Sequence, residues 1–178
     1  MNFDLSQNKT KGHENMKYKK QIIIGLILLI IFSVFFLKKT KVNRKIAKDL
    51  EIKIPYNLHF YYTDSHGGFF GDGVALGRAE LKDIDIDKLL KAPEGHWTKT
   101  PIPEELNTML YGCESYHSDL AIRLEMKSIE NGYWIYIDRF GNKREYLRGE
   151  EIDRYTNNYS IGLLDLDEKR FYYIKFDS

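Results

Sequence analysis

The chain has 178 residues and a formal net charge of +1, from 27 basic and 26 acidic side chains. Its length predicts one domain with at most a short appendage. Hydrophobic residues make up 43% of the chain and charged residues 30%, which excludes wholesale disorder. With 4 prolines and 1 cysteine, collagen-like and disulfide-stapled proteins are excluded as well.

The near-zero charge is a cancellation between two segments of opposite sign. The first 48 residues contain eleven Lys and Arg against two acidic side chains, a net charge of +9. The other 130 residues contain 16 basic and 24 acidic side chains, a net charge of −8. Such an asymmetry indicates a membrane or nucleic-acid contact at the basic end. The acidic body itself argues against nucleic acid as a partner, because a polyanion would be repelled.

The basic segment surrounds an apolar run that begins at Ile22 and ends at Leu37 (IIIGLILLIIFSVFFL). As a helix the run is about 24 Å long, slightly short of the ~30 Å core of a bilayer. Flanking lysines can snorkel and recover that length. Apolar residues occur at every helical angle, so a soluble domain would have to enclose the helix on all sides. We therefore expect a transmembrane helix over residues 21–38, with the lipid bilayer as the partner of this run.

A cleaved signal peptide is the main alternative, since it also has a basic start and an apolar centre. The residues after Leu37 are KKTKVNRK, with no small-x-small cleavage site and no adjacent cysteine for acylation. An uncleaved signal anchor is favoured. The two flanks, residues 6–20 and 38–52, carry five and six cations, so the positive-inside rule does not decide the orientation. We expect an N-in, C-out protein of the cell membrane, because a 20-residue tail is easily retained inside.

The predicted organisation follows from this anchor. A basic cytoplasmic tail covers residues 1–20, the signal anchor 21–38, a polar stalk 39–52 and an extracytoplasmic domain 53–178. Some 130 residues are enough to bury a core without help.

Strand-like segments in the domain are rich in Tyr, Phe, Ile and Val. They cover residues 56–63, 74–81, 132–138, 159–166 and 170–176, with a hairpin turn at 167–169. Short helices are predicted over 85–91 and 103–110, and residues 118–129 fit either a strand or a helix. The fold class is therefore α+β, with a mainly antiparallel sheet, two or three short helices and the N-terminal transmembrane helix in front.

The Gly-rich segment, residues 64–73 (DSHGGFFGDG), is the densest local feature. Glycines allow close backbone approach or positive φ, and carboxylates with an imidazole suit a metal or a hydrolytic centre. The alternative is a long hairpin connection in which Asp and Ser cap turns. Neither a P-loop nor a Gly-x-Gly-x-x-Gly pattern is present. The candidate ligand-binding residues are Asp64, His66, Gly67, Gly68, Gly71, Asp72 and Gly73.

Other chemistry-bearing residues give weaker signals. Cys113 has His117 four residues on, but nothing in the sequence orients such a pair, and a lone cysteine is typically a small buried hydrophobe. There is no His-Glu-x-x-His, zinc-type Cys pair, Walker motif or kinase set. We assign no catalytic residue, no metal ligand and no cofactor.

Several segments together resemble an uncharacterised family of small exported proteins of Gram-positive bacteria, often lipoproteins or single-pass anchored proteins. The matching pieces are residues 64–73, 97–103 (WTKTPIP), 131–139 (NGYWIYIDR) and 155–177 with its NYSIGLLD core. The resemblance implies an extracytoplasmic α+β module and brings no known activity. The family pattern has a second His where this chain has Phe70, which weakens a metal site.

The sequence thus favours a membrane-anchored, non-enzymatic binding module of the cell envelope, with an envelope protein or a small ligand as its partner. The alternative is a hydrolase or metal-binding protein that uses Asp64, His66 and Asp72.

Overall fold

A computed structural model of the chain describes residues 4–67, 71–91, 96–139, 145–147 and 158–178. In its first helix, side chains are described for residues 21–33, 37 and from 41 onward. The chain divides into two compact units, Met1–Thr40 and Lys41–Ser178.

The first helix, α1, runs from Asp4 to Leu50. It ends where Glu51 takes a left-handed conformation, with φ of 55°, and the Ile52 N–H bonds back to the Ala47 carbonyl at 3.1 Å. This is a common way to satisfy the last carbonyls of a helix. Among the described residues, we find no helix that is both long and apolar enough to cross a membrane. The predicted N-terminal transmembrane helix is therefore not identified in this part of the chain.

In its described residues, the second unit combines strands with three short helices. In chain order its elements are β1 (Tyr61–Asp64), β2 (Gly73–Glu80), α2 (Asp83–Leu90), β3 (Thr98–Lys99), α3 (Glu104–Tyr111), α4 (Leu120–Arg123), β4 (Gly132–Asp138), β5 (Glu145–Tyr146), β6 (Tyr159–Asp165) and β7 (Arg170–Asp177). The predicted α+β class is confirmed.

The described strands form one sheet in the order β1-β2-β7-β6-β4-β3, with β5 also paired to β4. Each pairing is antiparallel. The β2–β7 pairing joins the β1–β2 hairpin to the β6–β7 hairpin, and its register sets Gly73 opposite Asp177. The Gly-rich segment is thereby brought beside the C-terminus of the chain.

Both faces of the sheet are buried, because side chains alternate between two apolar clusters along the strands. On β7, Tyr172 and Ile174 join the cluster that α3 and α4 cover. Phe171 and Tyr173 join the opposite cluster, which contains Leu89 of α2 and the end of α1. Helices on both faces thus shield a sheet whose central strands are apolar on each side.

The last turns of α1 belong to the domain. Ile46 and Leu50 are completely buried in the second cluster, and a Cβ on Gly162 would lie 2.8 Å from Leu50 Cδ1. The amide of Asn43 donates to the carbonyls of Pro55 and Leu58 at 3.2 and 3.0 Å. The polar stalk expected over residues 39–52 is therefore replaced, from residue 41 on, by a helix packed into the domain core.

Most predicted elements are found within one to two residues of their expected bounds. The strand expected over 56–63 is an exception, since β1 begins only at Tyr61. The preceding residues form a turn in which the Leu58 N–H bonds to the Pro55 carbonyl at 3.1 Å. The ambiguous segment 118–129 is the single helical turn α4, after which Glu125 has a φ of 51° and stops any continuation.

The packing of α1 predicts where the domain begins. A chain of residues 38–178 should unfold cooperatively in urea, whereas a chain of residues 53–178 should not, because it lacks Ile46 and Leu50. In the longer chain, Leu50→Ala should lower the free energy of unfolding by about 2–5 kcal/mol.

Lys41→Ala is the matched control for Leu50→Ala, since Lys41 is exposed on the same helix and should change the free energy of unfolding by less than about 0.5 kcal/mol. Equal stability of the Leu50→Ala chain and its parent would contradict the assignment of this helix to the core.

Candidate functional site

The Gly-rich segment connects β1 to β2, and its ends are fixed by hydrogen bonds around Ser65. The Ser65 N–H donates to the Val74 carbonyl at 3.0 Å, and the Val74 N–H donates to Ser65 Oγ at 2.9 Å. Gly68, a candidate ligand-binding residue, lies outside the described residues together with Phe69 and Phe70.

At two positions of the segment, the backbone structure requires glycine. Gly71 has a φ of 73°, in the left-handed region that glycine tolerates best. A Cβ on Gly73 would lie 2.7 Å from the backbone nitrogen of His66, closer than real side chains approach. Gly67 has space for a side chain, since a Cβ there would come no closer than 3.8 Å to Ser65 O. The segment thus needs glycine for its own conformation at Gly71 and Gly73.

His66 lies between two carboxylates. Its Nδ1 is 2.5 Å from Asp64 Oδ1, and its backbone N–H donates to the same oxygen at 3.1 Å. Its Nε2 is 3.1 Å from Asp177 Oδ2, within ion-pair distance but outside the angles of a hydrogen bond. The side chain is only 15% exposed. Each ring nitrogen therefore faces an acidic oxygen.

Asp64 is held on its other oxygen by groups from two elements. Lys45 Nζ of α1 lies 2.6 Å from Asp64 Oδ2, and the Tyr62 hydroxyl donates to the same oxygen at 2.9 Å. Burial acts to raise the pKa of Asp64, but the hydrogen bonds from Lys45, His66 and Tyr62 outweigh it and hold that pKa well below its usual range. Burial acts to lower the pKa of Lys45, yet its bonds with Asp64 and Tyr62 raise that pKa to about 12.

Asp177 is held in the same way from the opposite side. Arg139 donates to Asp177 Oδ1 at 2.6 Å, and Lys175 Nζ lies 3.2 Å from Oδ2. Arg139 also donates to Ser160 Oγ at 3.0 Å and to the Phe176 carbonyl at 3.1 Å. Burial acts to raise the pKa of Asp177, but Arg139 and Lys175 together lower it. The guanidinium thus ties the end of β4 to the C-terminal strand.

A third carboxylate completes the cluster. Asp49 of α1 is buried and accepts a hydrogen bond from the Tyr173 hydroxyl at 2.7 Å, while Lys175 Nζ lies 4.0 Å from the same oxygen. Burial, with the nearby negative charge of Asp49, raises the pKa of Tyr173. We define the His66 network as the side chains that these contacts join, namely Lys45, Asp49, Tyr62, Asp64, His66, Arg139, Tyr173, Lys175 and Asp177.

The predicted trio is only partly brought together. Asp64 and His66 meet, but Asp72 is exposed and makes no hydrogen bond or ion pair with either of them. Asp177 takes the place expected for Asp72, because the β2–β7 register sets it beside the segment. Sequence analysis missed Asp177, Arg139 and Lys45, which are far from the segment in sequence. Side chains alternate along β7, so Lys175 and Asp177 lie on the same face of the sheet. The sequence does not indicate which strand pairs with β7.

The arrangement is poorly suited to a metal ion. A metal-binding His turns one ring nitrogen to the ion and the other to an orienting partner. Here both nitrogens of His66 face carboxylates that are themselves held by cations. Within the described ranges, no group of three His, Cys, Asp or Glu side chains could hold a metal ion.

The outer edge of the sheet offers a different kind of site. A groove of about 570 Å³ is lined by residues of the turn before β1, by β2 and by Asp85 of α2, and a second of about 270 Å³ is lined by β1, β2 and the end of α4. Both grooves share Tyr61 and Arg78. The Arg78 guanidinium lies 5.9 Å from the Tyr61 ring centre and 2.5 Å from Glu125.

Cys113 differs from its prediction as a buried hydrophobe. It is exposed, and its Sγ lies 3.4 Å from Ser115 Oγ. The residue follows Gly112, whose φ is 78°, so the chain turns sharply outward after α3. An accessible thiol that is unique in the sequence is a useful site for labelling.

Comparisons of the chain with protein-family models, with curated proteins and with solved structures gave no match. The resemblance to exported proteins of Gram-positive bacteria stays a prediction. Function is therefore inferred from the residues and geometry described above.

The pKa of Asp64 predicts an acid-sensitive contribution to stability. A lowered native pKa means that this contribution is fully present above the ordinary value of about 4 and is lost as the pH falls below it. Asp64→Asn should lower the free energy of unfolding by about 2 kcal/mol at neutral pH, and this difference should shrink between about pH 5 and pH 2. Urea unfolding of residues 38–178 across this range measures it.

Asp72→Asn is the control, because Asp72 is an exposed carboxylate of the same segment outside the His66 network. It should change stability by less than about 0.5 kcal/mol at any of these pH values. If the two variants had the same pH profile, the ion pairs of Asp64 would make no contribution to stability.

Proposed function

We propose that the chain is a single-pass membrane protein whose C-terminal domain is a binding module on the outer side of the cell membrane. The observation that carries the anchor is the exposure of apolar side chains along α1. Every Ile, Leu and Phe from Ile22 to Phe32 is between 50% and 71% exposed, and Leu37 is 56% exposed. Contiguous apolar surface of this extent marks a membrane or protein contact.

The hydrophobic effect supports a lipid environment for this surface. Burying one Leu, Ile or Phe side chain is worth about 1.5–3 kcal/mol, and the exposed residues surround the helix on all sides. A single groove on a partner protein would cover one side, whereas acyl chains cover the whole circumference. The single hydroxyl, Ser33, donates to the Leu29 carbonyl at 2.8 Å, which satisfies it without water.

The geometry of the His66 network supports binding over catalysis. Each carboxylate in the network is paired with a cation, and both ring nitrogens of His66 face carboxylates. A general base needs one nitrogen directed at a substrate or nucleophile. The alternative of a hydrolase or metal-binding protein that uses Asp64, His66 and Asp72 has less support, because Asp72 makes no hydrogen bond or ion pair with the other two and both ring nitrogens of His66 lie within ion-pair distance of carboxylates.

The binding surface that the geometry favours is the outer edge of β1, with which no described strand pairs. The Ser65–Val74 hydrogen bond fixes the alternation of the β1–β2 pairing, so the backbone groups of Tyr62 point away from β2. Grooves flank this edge, and Tyr61 is 73% exposed between them. An extended peptide can add to such an edge through main-chain hydrogen bonds, with its side chains in the grooves.

The anchor predicts how the protein fractionates. The full chain should stay in the membrane pellet after carbonate extraction. Leu29→Arg should release a large part of it, since a charged residue at the centre of a span costs roughly 2.5–3.5 kcal/mol. Leu29→Ala is the control and should remain in the pellet.

Cells that produce the full chain also report the orientation of the domain, through the exposed thiol of Cys113. An impermeant maleimide should label it in intact cells if the domain faces outward. Labelling only after lysis would contradict the N-in, C-out orientation, and release of the unmodified chain by carbonate would contradict the anchor.

The β1 edge predicts a selective loss of partners. Residues 38–178 should retain certain proteins from an envelope extract. Replacing Tyr61 by Ala should abolish this retention, because Tyr61 lines both grooves. Tyr56→Ala is the matched control, since Tyr56 is 86% exposed but does not line either groove. If the Tyr61→Ala variant still retained these proteins and the His66→Ala variant lost them, the binding site would be assigned to the Gly-rich segment instead.

A further inference from the structure

The larger of the two grooves at the sheet edge lies where β2 extends past β1. β1 begins at Tyr61, which is opposite Arg78, whereas β2 continues to Glu80. The bond between Ser65 and Val74 sets the alternation of this pairing, so the backbone groups of Glu80 point to the β1 side of β2. No described strand pairs with them there. The groove of about 570 Å³ lies at this position and includes Glu80 in its lining.

One carboxylate in the wall of this groove is buried without a cationic partner. Asp85 of α2 is 2% exposed and lines the groove. The Asn57 side-chain amide donates to its Oδ1 at 3.2 Å, and the Lys82 backbone N–H donates to its Oδ2 at 3.2 Å. Both donors are neutral, and Asp85 makes no ion pair with any residue that the structure describes. Because burying a carboxylate is unfavourable unless a positive charge compensates it, this wall is suited to a cation from a ligand.

Two basic side chains also line the groove, but neither neutralises Asp85. The Arg78 guanidinium lies 2.5 Å from a Glu125 oxygen and donates to the Leu124 carbonyl at 3.2 Å. Lys82 is exposed, and its hydrogen bond with Asp85 comes from the backbone N–H. Its ammonium forms no ion pair with any described carboxylate. The positive charges of the groove are therefore directed away from its buried carboxylate.

A second carboxylate lies on the rim of the groove. The Glu80 side chain is 84% exposed, and its ion-pair partner, Arg170, is 4.0 Å away. Glu80 lies two residues beyond Arg78, which is opposite Tyr61, so Glu80 and Tyr61 share a face of the sheet. A peptide strand at the β1 edge directs alternate side chains to this face. The chain from residue 49 onward carries a net charge of −8, which attracts a basic partner.

We infer that the β1 edge selects an extended peptide with a Lys or Arg side chain, whose cation enters the 570 Å³ groove and pairs with Asp85 and Glu80. The inference rests on the proposed function and specifies the chemistry of the partner. Main-chain hydrogen bonds to Tyr62 supply attraction that is independent of the peptide sequence, and the ion pairs supply the preference. A neutral peptide leaves Asp85 uncompensated, and an acidic peptide adds repulsion. Lys82 competes for the same position, so its removal strengthens binding.

Fluorescence anisotropy with short peptides tests this preference. Three amidated peptides of sequence TVTXTVT carry Lys, Gln or Glu at X and a neutral dye on the N-terminus. The full chain is kept in micelles of a neutral detergent. We expect the Lys peptide to bind roughly fivefold more tightly than the Gln peptide and the Glu peptide to bind most weakly. These differences should become smaller at high salt, which screens the charges.

Single substitutions decide whether the groove is responsible. Glu80→Gln and Asp85→Asn should each lower the ratio of the Lys-peptide affinity to the Gln-peptide affinity, and Lys82→Gln should raise it. Asp87→Asn is the matched control and should leave the ratio unchanged, because Asp87 is exposed on the same helix as Asp85 and does not line the groove. Urea unfolding of each variant controls for folding. The Glu80→Gln result does not depend on a buried contact, because the Glu80 side chain is largely exposed.

Equal affinity for the three peptides would overturn the preference for a cation, as would an unchanged ratio in Glu80→Gln and in folded Asp85→Asn. The edge itself is judged by Tyr61→Ala. If this change abolished the binding of three peptides that the parent chain binds equally, the edge would stand and the cation preference would be refuted. If Tyr61→Ala left binding unchanged while Glu80→Gln removed the preference for Lys, the cation contact would be supported and the edge refuted. Absence of binding by all three peptides would overturn the inference, and the envelope extract would still judge the edge.

Discussion

Ile46 and Leu50 lie between the end of α1 and the sheet, and Leu50 covers Gly162 so closely that a side chain there would collide with it. This contact fixes the position of the helix on the sheet. Asn43 then holds the connection at Pro55 and Leu58, Lys45 reaches Asp64 at the end of β1, and Asp49 reaches Tyr173 in the middle of β7. The polar contacts of the helix depend on this apolar contact, because the burial of Ile46 and Leu50 sets the distances from Asn43, Lys45 and Asp49 to their partners.

The His66 network connects segments that are far apart in the chain. It links α1, the Gly-rich segment, the residue after β4 and the C-terminal strand through alternating positive and negative groups. Burying charge is unfavourable unless it is paired, and here each carboxylate has a cationic partner. The same pairing occupies the acid or base that a catalytic centre would require, so the geometry favours a structural role for the imidazole and supports the proposal of a binding site at the β1 edge.

Local patterns were sufficient for the elements themselves. The Tyr, Phe, Ile and Val content of β4, β6 and β7 predicted strands, and residues 167–169 predicted the β6–β7 hairpin, because strand and turn preferences act over a few residues. The segment 56–63 was misjudged because its aromatic content suits a strand while Pro55 imposes a turn. The candidate site could be predicted only at Asp64 and His66, which are neighbours in sequence. Asp72 belonged to the same local pattern, but the turn directs it to solvent.

By itself the sequence determined the α+β class, the apolar run with its basic flanks and the opposite charges of the two parts of the chain, since each is a sum or a period over consecutive residues. Only the tertiary structure decided that Ile46 and Leu50 are part of the core, that Asp177 lies beside His66 and is held by Arg139, and that Lys45 pairs with Asp64. These outcomes depend on strand order, register and helix rotation, which bring together residues up to 132 positions apart, from Lys45 to Asp177, and no local pattern encodes them.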